Sequence, residues 1–385
     1  MNELRLEIKQ GEQALQALRC EWRTLYNATT AAPFLSWEWA TTWQQWFGTG
    51  KTPYLLCVFA SHKLVGLLAL VREQQMGMRR FSMLGSGFGG ADYLDILALP
   101  GAEKQVAEII RKQWVAVADF DLLELDGLAA DSSTVTLLGT RQNHGFTCPV
   151  TARYHCPQIQ LQPDWPAVLK RSRRADNFKR RLRQLSARDG FAHHVRTKPA
   201  DALPAFERFL RLHDARWSAT GGSEMTGHER LTSFHCDLVV RFAEAGLLRF
   251  DELWVEGECR ASIYGLEHGG QYYFYNSGYD QAWRSASVGL VLLGLSIKAA
   301  VERGIEVYDF LRGTEEYKYD WAGTTRETVL LRIAPKRPRA TMLLAYEQAR
   351  ETLRQGMRES LPNWLLLPVQ RIRRARKREQ ELRTV

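Results

Sequence analysis

Hydrophobic residues recur along the chain at two spacings, one typical of helices and the other of strands. Helices are predicted where apolar residues lie three or four positions apart, in Glu12–Asn27, Ser36–Phe47, Ala102–Ala118, Leu203–Trp217, Leu231–Ala245 and Val288–Glu302. Strands are predicted in short apolar or alternating runs, at Tyr54–Ala60, Leu64–Arg72, Tyr93–Leu99, Asp121–Leu125, Leu253–Glu256, Ala261–Glu267, Gln271–Ser277 and Ile305–Leu311. Strands that alternate with long helices predict a layered α/β chain.

The order of predicted elements in the first half recurs in the second. The stretch CVFASHKLVGLLAL, from Cys57, aligns with LWVEGECRASIYGL, from Leu253, at an offset of 196 residues. In both halves a hairpin precedes a strand, a long helix and a short strand that ends near a glycine. Duplication of one unit explains this order, and a chance likeness of two α/β domains is the alternative. We therefore predict modules over residues 1–150 and 151–335, followed by a helical basic tail over 336–385.

Composition excludes some classes of protein, and the charge is unevenly placed. The 385 residues are 45% hydrophobic and carry 52 Lys and Arg against 43 Asp and Glu, a net charge of +9. This content excludes a wholly disordered chain. Lys170–Arg188 and Arg371–Val385 are strongly basic, so the rest of the chain is mildly acidic. The charge thus indicates where partners dock more than what the protein does.

Each basic segment allows two interpretations. Lys170–Arg188 has Phe178, Leu182 and Leu185 at helical spacing, which predicts either a solvated basic helix or a docking face for anionic lipid, acyl-carrier protein or tRNA. It has no RNA-stacking signature, and nothing in the chain indicates DNA binding. The tail joins an apolar run, Trp364–Val369, to its basic run, as in an anchor on an anionic membrane, and a disordered tail is the alternative.

The termini and the cysteines indicate the compartment. Met1–Gly11 shows no leader pattern, and no apolar stretch is long enough to cross a bilayer. The six cysteines form no CxxC pair, as expected in a reducing cytoplasm, and the histidines lack metal-ligand spacing. We expect a protein without a metal, either free in the cytoplasm or bound at the inner face of the membrane.

The segment Tyr272–Trp321 carries the clearest candidate chemistry. Its loop before the predicted helix at Val288 contains Arg284, Ser285, Ser287 and Gly289. The unpaired N–H groups and positive dipole end of a helix N-terminus suit a pyrophosphate, and an arginine adds a charge-assisted contact. The alternative is that Ser285 or Ser287 only caps the helix.

This segment also resembles a known family. GYDQAWRSASVGLVLLG and AVERGIEVYDFLRGTEEYKYDW are similar to the C-terminal signature of the CelD/BcsL (BioF2-like) acetyltransferases. That family belongs to the GNAT acyltransferase superfamily and is related to the FemAB aminoacyltransferases. PFLSWEWATTWQQWFG, LGSGFGGADYLDIL, FLRLHDARW and FHCDLVVRFAEAGLLRFDEL resemble further parts of it, so the likeness covers roughly residues 20–335.

The resemblance implies two GNAT-like modules in tandem, with mixed central sheets flanked by helices. It places acyl-CoA, as acetyl-CoA or another acyl-CoA, between splayed strands at Tyr272–Ser277 and Ile305–Leu311, with the pyrophosphate at the Ser285–Gly289 turn. The family's Gln/Arg-x-x-Gly-x-Gly/Ala pattern is kept only at Arg284 and Gly289, with looser spacing. CoA, another acyl carrier and an aminoacyl-tRNA therefore all stay open as donors.

The family element DFxxGxxxYK matches Asp309, Gly313, Tyr317 and Lys318, with Arg312 inside it. The resemblance makes Asp309 and Lys318 catalytic candidates, Arg312 and Gly313 donor contacts, and Tyr317 a substrate contact. A carboxylate inside an apolar strand is either tuned for proton transfer or paired structurally, here with Arg312 or Lys318. Lys318 is also suited to neutralise a phosphate or an oxyanion.

Two further features bear on the acceptor. No Ser/His/Asp triad is recognisable in the sequence, which favours direct attack of the acceptor on the acyl group. The candidates for the general base are Asp309, Glu267, His268 and Asp280. A Gly-rich stretch, Gly85–Gly90, precedes Asp92 and Tyr93, which are predicted substrate contacts if the stretch is an acceptor loop. A plain flexible turn is the alternative.

Together these features predict an acyltransferase that moves an acyl group from acyl-CoA to an amine or hydroxyl. The expected acceptor is a small molecule or glycan precursor of cell-envelope polysaccharide. One rival is FemAB-like aminoacyl transfer from tRNA, and another is a non-catalytic accessory protein of an envelope-synthesis complex.

Overall fold

The computed structural model describes residues 4–75, 77–117, 119–139, 145–217 and 224–360. The prediction of a membrane anchor falls on residues 361–385, which lie outside the described residues. In the described part of the chain, no helix has both the length and the apolar character needed to cross a bilayer.

The first half contains seven strands and five α-helices within the described residues. They are β1 (Leu4–Gln10), α1 (Gly11–Ala17), α2 (Arg19–Asn27), α3 (Trp37–Phe47), β2 (Thr52–Ala60), β3 (Lys63–Gln75), β4 (Met78–Met83), β5 (Leu97–Ala98), α4 (Glu103–Ile110), β6 (Leu122–Ala129), α5 (Ser133–Leu138) and β7 (Phe146–Thr147).

The second half repeats the pattern with longer helices. Its elements are β8 (Val150–Gln160), α6 (Trp165–Arg171), α7 (Ala175–Ser186), β9 (Ala192–Arg196), α8 (Pro199–Trp217), α9 (Glu224–Gly227), α10 (Glu229–Glu244), β10 (Leu248–Val255), β11 (Glu258–His268), β12 (Gln271–Tyr279), α11 (Val288–Glu302), β13 (Val307–Asp309), α12 (Glu316–Tyr319), β14 (Thr324–Pro335) and α13 (Pro338–Ser360).

The strands form one mixed sheet whose order is symmetric about its centre. The order is β1-β2-β3-β4-β6-β14-β8-β13-β12-β11-β10-β9. Within each half the strands pair antiparallel until the last pair, β4 with β6 and β12 with β13, which is parallel. This is the repeat predicted from the sequence, and it confirms the mixed α/β fold class. The predicted domain limits at 150 and 335 remain predictions.

Two strands of the second half connect the halves at the centre of the sheet. β14, at the end of the second half, pairs with β6 of the first half. β8, the first strand of the second half, pairs with β13. Because β8 and β14 also pair with each other, the backbone hydrogen bonding continues across both halves.

Several predicted elements have the expected boundaries because local signals set them. α11 spans Val288–Glu302, as predicted, with Gly304 at φ 75° after its end. Ser36 caps α3, since its Oγ accepts a hydrogen bond from the Trp39 N–H at 3.2 Å. Backbone geometry of this kind depends on a few neighbouring residues, which is why the sequence predicts it well.

Other predicted elements are broken or shortened. The helix predicted over Glu12–Asn27 is two helices that join at Leu18. The strand predicted over Tyr93–Leu99 is reduced to β5, because Tyr93 has a positive φ of 58° that extended backbone does not adopt. The strand predicted over Ile305–Leu311 is reduced to β13 for a similar reason, since Leu311 has a φ of 55°.

The sheet of the second half separates two apolar layers. On one face, α8 and α10 join a core that continues into the first half, where Trp39 of α3 packs edge-on against Phe234 of α10 at 5.3 Å. On the other face, α6, α7 and α11 form a second core around Phe178. α7 and α11 approach closely, because a Cβ at Gly294 would lie 2.2 Å from the Phe178 ring.

We expect Gly294→Ala to destabilise the protein by about 1–3 kcal/mol, since the added methyl must push α7 away from α11. Guanidinium unfolding of the variant measures this. Gly323→Ala is the matched control, because a Cβ there meets nothing within 4 Å. Equal stability of the two variants would contradict the close packing of α7 on α11.

Candidate functional site

The sheet opens between β12 and β13. These strands pair only through three positions, the last of which joins Tyr273 to Asp309. β12 then runs on to Tyr279, paired in the described chain only with β11. The register of that second pairing shifts, so that Phe274 faces Gly265 and Asn276 faces Tyr264. Tyr275 is therefore the extra residue of a β-bulge beside the opening.

A cavity of about 310 Å³ lies at this opening. Its apolar wall comes from β11, β12, α11 and the segment from Tyr317 to Trp321, and its polar rim comes from the start of α7 and the turn before α11. The lining residues are Arg174, Asn177, Ala261, Ser262, Ile263, Phe274, Ser277, Gly278, Tyr279, Arg284, Ser287, Val288, Gly289, Leu290, Leu292, Leu293, Tyr317, Asp320 and Trp321.

The N-terminus of α11 faces this cavity without a side-chain cap. Ser287 precedes the helix in a left-handed conformation, φ 60° and ψ 40°, and its side chain makes no capping hydrogen bond. The alternative that Ser287 only caps the helix is therefore wrong. Among the described residues, none forms an ion pair with the exposed Arg284. The first turn of α11 thus offers N–H groups beside a free cation.

The predicted site residues fall into two groups and one outlier. Arg284, Ser287, Gly289 and Tyr317 line the cavity. Ser285 lies on the outer side of the same turn, in a separate cleft with Arg181 and Arg188. The remaining predicted residues form a buried polar cluster where the two halves meet, and they are Asp92, Tyr93, Asp309, Arg312, Gly313 and Lys318.

Asp309 lies at the point where β12 and β13 separate and is fully buried. Its carboxylate accepts hydrogen bonds from the Tyr93 hydroxyl at 2.8 Å, the Gln158 amide at 2.6 Å and the Leu311 N–H at 2.6 Å. The expected pairing of Asp309 with Arg312 or Lys318 is wrong, since both cations bind elsewhere. Burial raises the pKa of Asp309 to about 6, although these three donors oppose the shift.

This pKa predicts how Asp309 affects stability. A carboxyl whose pKa is higher in the folded state favours folding below its unfolded pKa, and this contribution is lost as pH rises through about 6. The loss is about 3 kcal/mol between pH 4 and pH 8. We expect the free energy of unfolding of the wild type to fall by that amount relative to Asp309→Asn, measured by urea unfolding across this range. A difference that does not change with pH would contradict the raised pKa.

Arg312 is bound by Asp92 of the first half. The Arg312 Nε donates to one oxygen of the buried Asp92 carboxylate at 2.7 Å, and its backbone N–H donates to the other at 3.0 Å. The guanidinium also donates to the Ala91 carbonyl and lies over the Tyr154 ring at 4.3 Å. Burial raises the pKa of Asp92, and Arg312 opposes that shift. The pair therefore joins the two halves.

Lys318 holds the loop between Asp309 and α12. Its buried Nζ donates to the Arg312 carbonyl at 2.7 Å and pairs with Glu315 at 3.0 Å. Gly313 has a φ of 134°, and a Cβ there would lie 2.5 Å from the Lys318 Nζ. A glycine at 313 is thus needed both for its backbone conformation and for the close approach of the lysine.

The other candidate bases are engaged elsewhere. Glu267 pairs with Arg303 at 2.8 Å. His268 stacks on Tyr26 at 4.1 Å, and burial lowers its pKa. Asp280 caps the turn that leads to Arg284 and pairs with Arg260 at 2.9 Å. Among the four candidates, only Asp309 lies at the opening of the sheet.

In the described first half, a void of about 10 Å³ lies among Trp22, Phe34 and residues of β3 and β4. The Gly85–Gly90 stretch accepts hydrogen bonds at its carbonyls from the Trp39 and Trp43 indoles and from the Tyr275 hydroxyl. These three hydrogen bonds hold the loop in place, so it is not a plain flexible turn. Asp92 and Tyr93 follow it into the buried cluster, and their role toward an acceptor remains a prediction.

Sequence reasoning missed some residues of this region. Gln158, on β8, donates to Asp309 across 151 residues of sequence, which no local pattern indicates. Arg174, just before α7, and Asn177 within it line the cavity, whereas the sequence predicted only a solvated basic helix or a docking face for this segment. The helical spacing of the polar residues beside the apolar face of α7 could have indicated them.

Comparison with known proteins agrees with this geometry. Residues 171–319 match the family model described as acetyltransferase (GNAT) domain. The matched segment contains α11, Asp309 and most of the residues that line the cavity. Among proteins with curated descriptions, none matches this sequence.

Three solved structures share the fold at low sequence identity. The structure of FemX is 12% identical with a TM-score of 0.55, over 83% of this chain and 96% of that one. A conserved protein of unknown function from Bacteroides thetaiotaomicron is 10% identical with a TM-score of 0.54, over 85% and 100% of the two chains. The C-terminal domain (DUF2156) of a putative lysylphosphatidylglycerol synthetase from Agrobacterium fabrum is 9% identical with a TM-score of 0.51, over 86% and 96%.

Proposed function

We propose that this protein transfers an acyl group from acyl-CoA to an amine or hydroxyl of a cell-envelope polysaccharide or its precursor. The observation that carries the donor half of this proposal is the cavity at the uncapped N-terminus of α11, where β12 and β13 separate. The envelope acceptor rests on the resemblance of Tyr272–Trp321 to the CelD/BcsL acetyltransferases. Mass spectrometry of envelope glycans with and without the gene tests that acceptor.

In this proposal the donor follows the cavity from its rim to the opening of the sheet. The pyrophosphate binds the first-turn N–H groups of α11 together with Arg284, because both present positive charge to the same rim. The pantetheine arm packs on the apolar wall near Ile263 and Phe274. The thioester then reaches the end of the β12–β13 pairing, beside Asp309.

The chemistry is direct attack on the thioester carbonyl. The acceptor nitrogen or oxygen forms the new bond to the acyl carbon, the C–S bond breaks, and CoA leaves as its thiolate. Asp309 accepts the acceptor's proton, since a base of pKa about 6 is ionised at neutral pH. Lys318 and Arg312 are positioning residues, because their contacts hold the loop that follows Asp309.

Gly289→Glu is expected to weaken acyl-CoA binding by about 10- to 100-fold, since it places a carboxylate where the pyrophosphate binds. The protein should remain folded, because a Cβ at 289 comes no closer than 3.4 Å to the Tyr279 ring and an acidic residue suits a helix N-terminus. Calorimetric titration with acetyl-CoA and with longer acyl-CoAs measures the affinity.

Gly289→Ala is the matched control for that variant. It adds only the tolerated Cβ, so its affinity for acyl-CoA should stay within about threefold of wild type. If Gly289→Glu binds acyl-CoA as tightly as Gly289→Ala does, the donor's phosphates do not lie at α11.

A second candidate function is aminoacyl transfer from tRNA. The observation in its favour is the exposed basic side of α7, where Lys179 and Arg180 have no acidic partner among the described residues. In that case Lys179→Glu with Arg180→Glu should abolish binding of tRNA in a filter assay. Tight acyl-CoA binding with no tRNA binding decides for the first function.

A further inference from the structure

A stripe of polar side chains runs along α7 from the cavity to the outer cleft. Arg174 and Asn177 line the cavity, and Arg181, Gln184 and Arg188 line the cleft. Asn177, Arg181 and Gln184 are separated by three or four residues and so follow one face of α7, with Arg174 just before the helix and Arg188 just after it. They lie beside its apolar face, which packs on α11 through Phe178.

The turn before α11 separates the two spaces. Arg284 and Ser287 line the cavity, whereas Ser285 and Ala286, between them, line the cleft of about 490 Å³. A ligand whose phosphates lie at Arg284 therefore needs to cross only this one turn to reach Arg181. The cleft therefore adjoins the cavity rim.

The charge in the cleft is suited to an anion. Among the described residues, no carboxylate pairs with Arg181, whose guanidinium donates only to the Gln184 side chain, at 3.1 Å. The Arg181 Nε is buried and lacks an acceptor in the described structure. Arg188 contributes a second cation and is held over the Trp283 ring at 5.4 Å, although Glu256 pairs with it at 3.0 Å. A buried donor without an acceptor is unfavourable unless a ligand supplies one.

The geometry points to Arg181, with Ser285 and Arg188, as the site that binds the 3′-phosphate on the nucleotide of CoA. This inference rests on the proposed function and extends it to the part of the donor outside the cavity. CoA carries a phosphate monoester at this position, and an arginine fork matches its oxygens. The cleft thus selects 3′-phosphorylated CoA over donors that end at the pyrophosphate.

The test compares CoA with 3′-dephospho-CoA, which retains the pyrophosphate and pantetheine. In calorimetric titrations of the full chain, we expect the wild type to prefer CoA by about 10- to 100-fold, the effect of one charge-assisted phosphate contact. Arg181→Gln should reduce this preference to about threefold or less. Arg183→Gln is the matched control, since it removes the same charge from the opposite side of α7 and should leave the preference unchanged.

Ser285→Glu provides a second variant should Arg181→Gln fail to fold. Ser285 is exposed, and a carboxylate there would repel the 3′-phosphate, so this variant should also lose the preference for CoA. Equal affinity of the wild type for the two nucleotides, or an equal loss of preference in Arg181→Gln and Arg183→Gln, would overturn the inference alone. Binding of neither nucleotide would overturn the proposed function with it.

Discussion

Asp309→Asn is expected to lower the rate of acyl transfer by about 10²- to 10⁴-fold, the range found for removal of a general base. Asp309 ends β13 at the point where β12 and β13 separate, and burial raises its pKa to about 6. An amine acceptor is largely protonated at neutral pH, so a positioned base is needed to take its proton. The measurement is release of the CoA thiol from acetyl-CoA in the presence of a primary amine.

The pH profile separates loss of a base from loss of structure. For the wild type, kcat/KM should fall about tenfold for each pH unit below 6, because protonated Asp309 cannot accept a proton. The residual rate of Asp309→Asn should lack that dependence. Glu267→Gln is the control, since Glu267 pairs with Arg303 away from the cavity and its loss should leave the rate unchanged. A wild-type profile that is flat through pH 6 would show that Asp309 is not the base.

Arg312→Ala should be the most destabilising single substitution of this site, at about 3–5 kcal/mol, because it leaves the buried Asp92 carboxylate without a counter-ion. Asp92 belongs to the first half and Arg312 to the second, so this loss also weakens the contact between them. Guanidinium unfolding measures the change in the free energy of unfolding. The slope of that free energy against denaturant concentration should be the same in the variant and the wild type.

Neutralising the orphaned carboxylate should restore part of the loss. Arg312→Ala combined with Asp92→Asn is expected to be about 2 kcal/mol more stable than Arg312→Ala alone, since an amide costs less to bury than an unpaired charge. Arg303→Ala, which breaks the half-exposed pair with Glu267, should cost about 1 kcal/mol or less. If Arg312→Ala is no more destabilising than Arg303→Ala, the Asp92 pair does not support the fold.

The sequence predicts elements whose signals are local. α11 follows from apolar spacing and a terminal glycine, and the β10–β11 hairpin follows from alternation on both sides of a short turn. The repeat of strand, helix and strand was legible for the same reason, because each copy carries its own periodicity. The placement of Arg284, Ser287 and Gly289 at the start of α11 needed no further information.

Contacts between distant segments could not be predicted from the sequence. Tyr93 and Asp309 are 216 residues apart, and Asp92 and Arg312 are 220 apart, so neither pairing leaves a local pattern. The pairings of β8 and β14 were equally unpredictable, because their partners come from remote segments of the chain. As a result the sequence paired Asp309 with Arg312 or Lys318, whereas its partners are Tyr93, Gln158 and the Leu311 N–H.

The polar stripe on α7 could be predicted from the sequence only in part. Its members repeat at helical spacing beside Phe178, Leu182 and Leu185, so a helical wheel separates them from the remaining basic residues of the segment. The sequence does not show that the stripe faces the turn at residues 284–287. The sequence shows that Lys170–Arg188 is basic, but only the packing of α7 on α11 shows which of its basic residues face the cavity and the cleft.

Calorimetric titration of the wild-type chain with acetyl-CoA tests the central claim most directly. We expect one acyl-CoA to bind per chain, in the cavity of about 310 Å³ at α11. If neither acetyl-CoA nor longer acyl-CoAs bind, or if two molecules bind each chain with similar affinity, the claim of a single donor site at α11 is contradicted.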